Sequence, residues 1–310
     1  MRSKPKQSSA LAPGLYLVAT PIGNLADISL RALDVLAKAD LVACEDTRTT
    51  RKLLSAHGIK AALTSYHEHN AARVRPRLME HLECGETVAL VSDAGTPLVS
   101  DPGYRLVEAA IASDIAVTAI PGASAGLAAL TVSGLPTDRF FFAGFLPAKA
   151  AARRRALGEL AAVEASLVIY ESARRLPAAL ADMAEVLGPR QGAVARELTK
   201  LYEEVRRGTL SDLADHYASA GPPKGEVVVV VGPPERGGGA TLAAQDLDAK
   251  LGAALGRASL RDAVAAVAAE TGLPRKRVYA RALELAGDPH GAAPTGPRRA
   301  TATEGQGDDP

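Results

Sequence analysis

Short apolar runs alternate along this chain with longer amphipathic ones, and that order restricts the fold more than any other feature. Residues 14–20 (GLYLVAT) are mostly apolar but too few for a packed helix, so they read as a buried strand. Asp27 can cap a helix over 28–38, where Leu30, Leu33 and Leu36 recur at helical spacing. The alternation continues with strands expected at 41–45, 87–92, 115–120, 140–145, 166–170, 192–196 and 225–231. Helices are expected between them at 48–56, 70–83, 103–113, 124–132, 148–163, 173–187 and 210–219. Strands separated by helices in this way predict an α/β fold.

Punctuation divides the chain further. Residues 1–13 and 287–310 read as disordered tails, because both lack apolar periodicity. A helix bracketed by Pro121-Gly122 and Gly134-Leu135-Pro136 suggests one α/β domain over 14–121 and a second over 122–233. A linker at 234–241 contains most of the string PPERGGG, and 242–286 carries three helical patterns. So short a helical module is expected to bury little core by itself.

Composition excludes several classes. Apolar residues make up 47% of the 310, enough for packed cores, and no run approaches the ~20 residues needed to span a bilayer. The polar start of the chain does not read as a signal peptide. Two cysteines, Cys44 and Cys84, provide neither a disulfide framework nor a metal-ligand spacing, which points to a reducing cytoplasm. The net charge of +1 excludes a wholly basic nucleic-acid binder, so any nucleic-acid site must be a local patch. The cations are nonetheless 26 Arg against 10 Lys, and Arg is the better bidentate ligand for phosphate.

In α/β sheets, ligands bind beyond the carboxyl ends of the strands. Three such ends carry small residues beside hydrogen-bonding ones: Thr20-Pro21-Ile22-Gly23-Asn24, Ser92-Asp93-Ala94-Gly95-Thr96-Pro97 and Pro121-Gly122-Ala123-Ser124-Ala125. Small residues let a ligand approach the backbone, so the three together suggest a cofactor cleft. No dinucleotide fingerprint, phosphate-binding P-loop or zinc-protease motif accompanies them. The one histidine cluster, His67-Glu68-His69-Asn70, reads as a polar turn entering a helix, and no metal site is expected.

Residues 19–28 (ATPIGNLADI) resemble the opening of the RsmI family. The resemblance continues through Glu45-Asp46-Thr47-Arg48, His67-Glu68-His69-Asn70, residues 91–102 (VSDAGTPLVSDP) and Gly144-Phe145-Leu146-Pro147. It runs on through Tyr170-Glu171-Ser172, residues 195–200 (ARELTK) and Lys224-Gly225-Glu226. Members of that family are S-adenosylmethionine-dependent methyltransferases of the tetrapyrrole-methylase superfamily. They act on the ribose 2′-hydroxyl of a cytidine in 16S ribosomal RNA. Two departures stand out. Pro121-Gly122-Ala123 replaces a Pro-Gly-Pro, and Arg174-Arg175 replaces a His-Arg pair.

The resemblance implies two α/β domains of the tetrapyrrole-methylase type, a cofactor cleft between them, the small C-terminal helical module and a homodimer. It assigns Gly23, Asn24, Asp93, Ala94, Gly95, Ser124, Ala125, Ala195 and Glu226 to S-adenosylmethionine. A ribose hydroxyl must lose its proton as it attacks, and Glu45, Asp46, Glu171, Glu197 and Lys200 are the candidate acceptors. Glu45 or Asp46 is preferred, with Lys200 available if burial lowers its pKa. Three cationic runs are expected to line one RNA groove: Arg48, Arg51 and Lys52; Lys149, Arg153, Arg154 and Arg155; Arg275, Lys276 and Arg277. With no Trp and few other aromatics, recognition is expected to rest on phosphate, ribose and shape, within the small ribosomal subunit. A methylase of corrin or porphyrin precursors and a catalytically inert RNA-binding assembly factor are the two alternatives.

Overall fold

A computed structural model describes residues 10–234, 238–271 and 275–286. Two compact units divide the chain at Pro234.

The first unit contains two five-stranded sheets. One is formed by β1 (Gly14–Val18), β2 (Leu41–Cys44), β3 (Leu63–Ser65), β4 (Thr87–Val91) and β5 (Val117–Ile120), in the order β3-β2-β4-β1-β5. All of its pairs are parallel. Alternate residues of a strand face opposite sides, which is why a parallel strand covered on both faces is apolar throughout. Tyr16 and Val18 of β1 pack with Val35 and Leu36 of α1 (Leu30–Lys38) and Leu54 of α2 (Thr47–Ala56). Leu15 packs oppositely, with Leu78 and Leu82 of α3 (Ala71–Glu83) and Leu106 of α4 (Tyr104–Ala112).

The second sheet is mixed. It comprises β6 (Phe140–Phe145), β7 (Ser166–Ser172), β8 (Gln191–Arg196), β9 (Glu204–Thr209) and β10 (Glu226–Val231), ordered β6-β7-β10-β8-β9. Its middle strand reads EVVVVV, and both faces are covered here too. Val227, Val229 and Val231 pack with Leu157 of α6 (Ala150–Leu160), Leu180 and Met183 of α7 (Leu176–Leu187) and Leu213 of α8 (Leu210–Ala220). Val228 and Val230 pack with Ala129 and Leu130 of α5 (Ala125–Ser133), and with Ile22 from the loop after β1. Ile22 thus carries the first sheet's ligand-side loop onto the second sheet.

The remaining unit holds α9 (Gly238–Leu255), α10 (Leu260–Thr271) and α11 (Arg275–Ala286). It has more core than its length suggests, since Leu247, Leu251, Val264, Val267, Val278 and Ala282 form a buried cluster of their own. The expected linker is shorter than 234–241, because α9 already begins at Gly238. Of the expected tails, residues 1–9 and 287–310 lie outside the described residues. No helix among the described residues is long and apolar enough to cross a membrane.

Candidate functional site

The loops at the carboxyl ends of the parallel strands are tied together by their own polar groups. Thr20 and Gly95 exchange backbone hydrogen bonds of 2.9 and 3.1 Å, closing the β1 loop onto the β4 loop. The Thr96 hydroxyl donates to Ala123 O (3.1 Å), joining the β4 and β5 loops. Asp46 N–H donates to Asp93 Oδ1 (3.0 Å), bringing in the loop after β2. Gly95 holds a left-handed φ of +85°, which costs glycine little. Gly122 lies so close to β1 that a Cβ there would stand 2.9 Å from the Ala19 Cβ. Leu98 and Ser100 are left-handed without being glycine, at +72° and +65°. Such residues cost on the order of 1–3 kcal/mol each and cluster at functional sites.

Between these loops and the second sheet lies a cavity of about 460 Å³. The first sheet contributes Ile22, Asp93, Ala94, Gly95, Thr96, Val99, Ser100, Asp101, Ser124 and Ala125. Opposite stand Phe145, Tyr170, Glu171, Ser172, Ala173, Gly225, Glu226, Val227 and Val228. The Tyr170 ring is set edge-on between Phe142 and Phe145, at 4.9 and 5.6 Å between centroids. Its hydroxyl accepts the Gly126 N–H at 3.2 Å, one of the unsatisfied donors at the start of α5.

Of the residues assigned to the cofactor, Asp93, Ala94, Gly95, Ser124, Ala125 and Glu226 line this cavity. Ala195 lines a small adjoining one with Ile22, Leu198 and Glu226. Gly23 and Asn24 line neither. A Cβ on Gly23 would stand 2.5 Å from Lys200 Cγ, so this glycine is where the Lys200 side chain crosses the β1 loop. Asn24 caps a short helical turn by accepting the Ala26 N–H at 3.1 Å. Sequence reasoning gave no role to Asp101, Tyr170 or Ser172, although all three fall in the family-like strings. Nothing in a one-dimensional pattern says which polar residues of a motif turn inward.

The expected proton acceptors fare unevenly. Asp46 caps α2 through the Arg48 N–H (2.8 Å) and pairs with the Arg48 guanidinium (2.7 Å). These bonds hold its carboxyl down at about 2, which makes it a poor base. Glu45 is pushed up by burial and by the charge of Asp93, but it does not line the cavity. Lys200 bonds Glu197 (2.9 Å) and Glu226 (3.0 Å). Burial pulls its pKa down, the two carboxylates outweigh that, and the ammonium ends above its ordinary value. Lys200 is therefore a protonated strut rather than a base. Glu197 is held below the usual carboxylate range by the same lysine.

Glu171 is fully buried. Its Oε1 accepts Arg175 Nε and Ser172 N–H, both at 2.7 Å, while its Oε2 has no partner among the described residues. Arg175 is thus the arginine that matters structurally, and Arg174, at the departure from the family pattern, is exposed. The histidine string is a turn, as expected. Asn70 Oδ1 accepts His67 N–H (2.9 Å), and its amide donates to Ser65 O (3.0 Å). No metal-binding cluster occurs among the described residues.

The cationic runs require one correction. Arg48, Arg51, Lys52, Lys149, Arg154 and Arg155 are exposed, but Arg153 is buried. It donates from Nε to Asp182 Oδ2 at 2.6 Å and from Nη1 to Ala148 O at 3.1 Å, so it cannot serve as a phosphate ligand. Arg154 shares Asp182 at 2.7 Å. The third run opens α11 in the other compact unit, where Arg275 is exposed and Arg281 pairs with Asp248 at 2.7 Å.

A family profile described as Tetrapyrrole (Corrin/Porphyrin) Methylases matches residues 14–214, and one described as RsmI C-terminal HTH domain matches 241–286. A ribosomal RNA small subunit methyltransferase I from Mesorhizobium japonicum is 55% identical over 276 residues, covering 89% of this chain and 93% of that protein. The protein of the same name from Halalkalibacterium halodurans is 46% identical over 274 residues, covering 86% and 93%. Among solved structures, a diphthine synthase matches with a TM-score of 0.56 at 17% identity, over 70% of this chain and 89% of its own. That likeness is one of fold.

S-adenosylmethionine is the methyl donor of this family, and the cleft suits it. Ile22, Val99, Phe145 and Val228 offer an apolar wall, while Gly95 and Ala125 leave room at the backbone. Asp93 and Glu226 put carboxylates on the lining that could accept from an ammonium or a hydroxyl, and the orphaned Glu171 Oε2 is an acceptor that a ligand donor would complete. The chain belongs to the RsmI family of S-adenosylmethionine-dependent tetrapyrrole-fold methylases.

Proposed function

We propose that this methylase modifies the ribose 2′-hydroxyl of a cytidine in 16S ribosomal RNA, within the small ribosomal subunit in the cytoplasm. The observation that carries the reading is the 55% identity to a ribosomal RNA small subunit methyltransferase over nearly the whole chain, helical unit included. A methylase of small tetrapyrroles has no need of the latter.

The two lobes, 14–121 and 122–233, hold the donor between them, with Asp93, Ala94, Gly95, Ser124, Ala125, Ala195 and Glu226 as its contacts. When bound, S-adenosylmethionine supplies a methyl group on a positively charged sulfur. The protein's task is alignment, bringing the hydroxyl oxygen to within about 3–3.5 Å of that carbon and on the axis of the breaking bond. Gly23 and Asn24 support the donor site at one remove, through Lys200 and the β1 loop.

Exposed cations at Arg48, Arg51, Lys52, Lys149, Arg154, Arg155 and Arg275 bind phosphates, joined by Lys276 and Arg277, whose side chains lie outside the described residues. The subunit form supplies the shape that a chain poor in aromatics cannot read by stacking. Tritiated methyl transfer to unmethylated small subunits and to naked RNA tests this directly. Label should enter the subunits at least tenfold faster. Equal or greater labelling of naked RNA, or none of either, would count against it.

A homodimer fits the open edge strand β6, whose Phe140 and Phe141 are 46% and 44% exposed. Sedimentation at twice the 32.0 kDa chain mass is expected, and a monomer at micromolar concentration would contradict it.

A further inference from the structure

On the inner face of α11, Val278 and Ala282 close the core of the helical unit. The outer face of the same helix carries two large apolar side chains one turn apart, Tyr279 and Leu283, which are 46% and 48% exposed. Beside Tyr279 runs a groove of about 310 Å³ between α10 and α11, lined by Arg261, Val264, Arg275 and Tyr279. Val264 is buried and forms its floor, while the two arginines are exposed and come from different helices. Arg281 is held by Asp248 and Glu284, and Lys250 by Glu270. Arg261 and Arg275 have no carboxylate partner, and the Tyr279 ring has no stacking partner, among the described residues. An apolar patch rimmed by polar groups marks a binding surface.

The arginines call for an anion, and the tyrosine and valine for a flat, weakly polar partner. A nucleotide offers both, as phosphate and base. The unit matches a helix-turn-helix profile, and on duplex DNA such a unit lays its second helix in the major groove. A-form RNA closes that route, because its major groove is too deep and narrow for side chains to read. Unpaired bases can instead be splayed out and stacked on an aromatic ring. We propose that this groove binds an unpaired nucleotide of the substrate RNA, with the base stacked on Tyr279 and the adjoining phosphates held by Arg261 and Arg275. The assignment rests on the ribosomal RNA reading above. It makes the helical unit selective for single-stranded RNA without reading a sequence, since every base has a face that can stack. One well-placed ring suffices for this in a chain with 7 Tyr, 4 Phe and no Trp.

The test uses the full chain and an RNA of about 12 nucleotides, either single-stranded or annealed to its complement. Affinity is read by fluorescence anisotropy for wild type, Tyr279→Phe, Tyr279→Leu and the double variant Arg261→Ala with Arg275→Ala. Wild type should bind the single strand at least tenfold more tightly than the duplex. Tyr279→Leu keeps an apolar side chain but loses the ring, and should weaken single-strand binding by about tenfold, within the range for one lost base stack. Tyr279→Phe should stay within threefold of wild type. The double arginine variant should flatten the slope of log affinity against log salt by about 1.4, from two phosphate contacts at about 0.7 each on a single strand. That variant leaves the core untouched, so it decides the matter if Tyr279→Leu unfolds the unit. A Tyr279→Leu affinity within threefold of wild type, an equal loss in the Phe and Leu variants, an unchanged arginine slope or a preference for duplex would overturn the assignment. So would a Leu variant that binds naked RNA normally but captures small subunits poorly, which would mark the groove as a protein-docking site. Methyl transfer to small subunits is measured with the same preparations. No wild-type methylation of their RNA defeats the RNA reading, whereas normal methylation with an unchanged Tyr279→Leu affinity defeats only the role of the groove.

Discussion

Asp101 carries a stability penalty that its position makes unavoidable. Burial and the charges of Glu45 and Asp93 raise its pKa from 3.8 to about 6 in the folded chain. The folded protein therefore holds this proton more tightly than the unfolded chain does. Asp101 favours folding fully below its unfolded pKa, and that contribution is lost as pH rises from about 4 through about 6. Asp101→Asn is accordingly expected to melt higher than wild type above pH ~7 and close to it near pH ~4. A lower melting temperature above pH ~7 would show that the carboxylate is structural. Lys200 provides the contrast. As a protonated strut across Gly23 it should tolerate replacement by another cation, so Lys200→Arg should keep methyl transfer within about tenfold, with an unchanged pH profile measured by single turnover. Sequence pattern put both residues in family-like strings, yet it offered Glu45, Asp46 and Lys200 as bases and gave Asp101 no role. Basicity depends on which charges other loops bring alongside, and that is invisible until the loops are assembled.

Elements whose burial is two-sided were the ones most legible in the sequence. β10, with five consecutive valines, and β1 announce themselves because both faces are covered. The edge strands do not. β9 (EVRRGT) is charged and pairs only with β8, and β3 is three half-buried residues. Charge on an edge strand prevents further pairing and erases the apolar signal at the same time. Helix α6 shows the converse error. Its run of three arginines reads as a solvated face, but helical periodicity turns Arg153 inward to Asp182 of α7. Asp182→Ala leaves that guanidinium buried and unpaired and should cost about 3–5 kcal/mol in denaturant unfolding, whereas Arg153→Met with Asp182→Leu should recover most of the loss. The same double variant should bind RNA like wild type. Lys149→Ala with Arg155→Ala should weaken binding and flatten its salt dependence by about two phosphate contacts, measured by filter binding across salt concentrations. An unchanged slope would remove α6 from the RNA surface.

At the scale of the whole molecule, near-neutral charge and an RNA substrate are compatible because the cations are grouped while the acids face inward as well as outward. Asp93, Asp101, Glu171 and Glu226 line the cavity, and Asp182 pairs with two arginines of α6, of which Arg153 is buried and Arg154 stays exposed. The fold class and the cleft between strand-end loops followed from strand–helix order and loop composition. The depth of the helical unit's own core did not, because so short a segment gives no cue that its apolar residues converge. What ties these scales together is one chemical event, the transfer of a methyl group from S-adenosylmethionine to ribosomal RNA, with the proposed acceptor a ribose oxygen. Its most direct test is to incubate the chain and S-adenosylmethionine with unmethylated small subunits, digest the RNA to nucleosides and identify the methylated one by mass. The expected product is a single cytidine carrying the methyl on its 2′-oxygen; a methyl on a base, or on the ribose of another nucleoside, would contradict it.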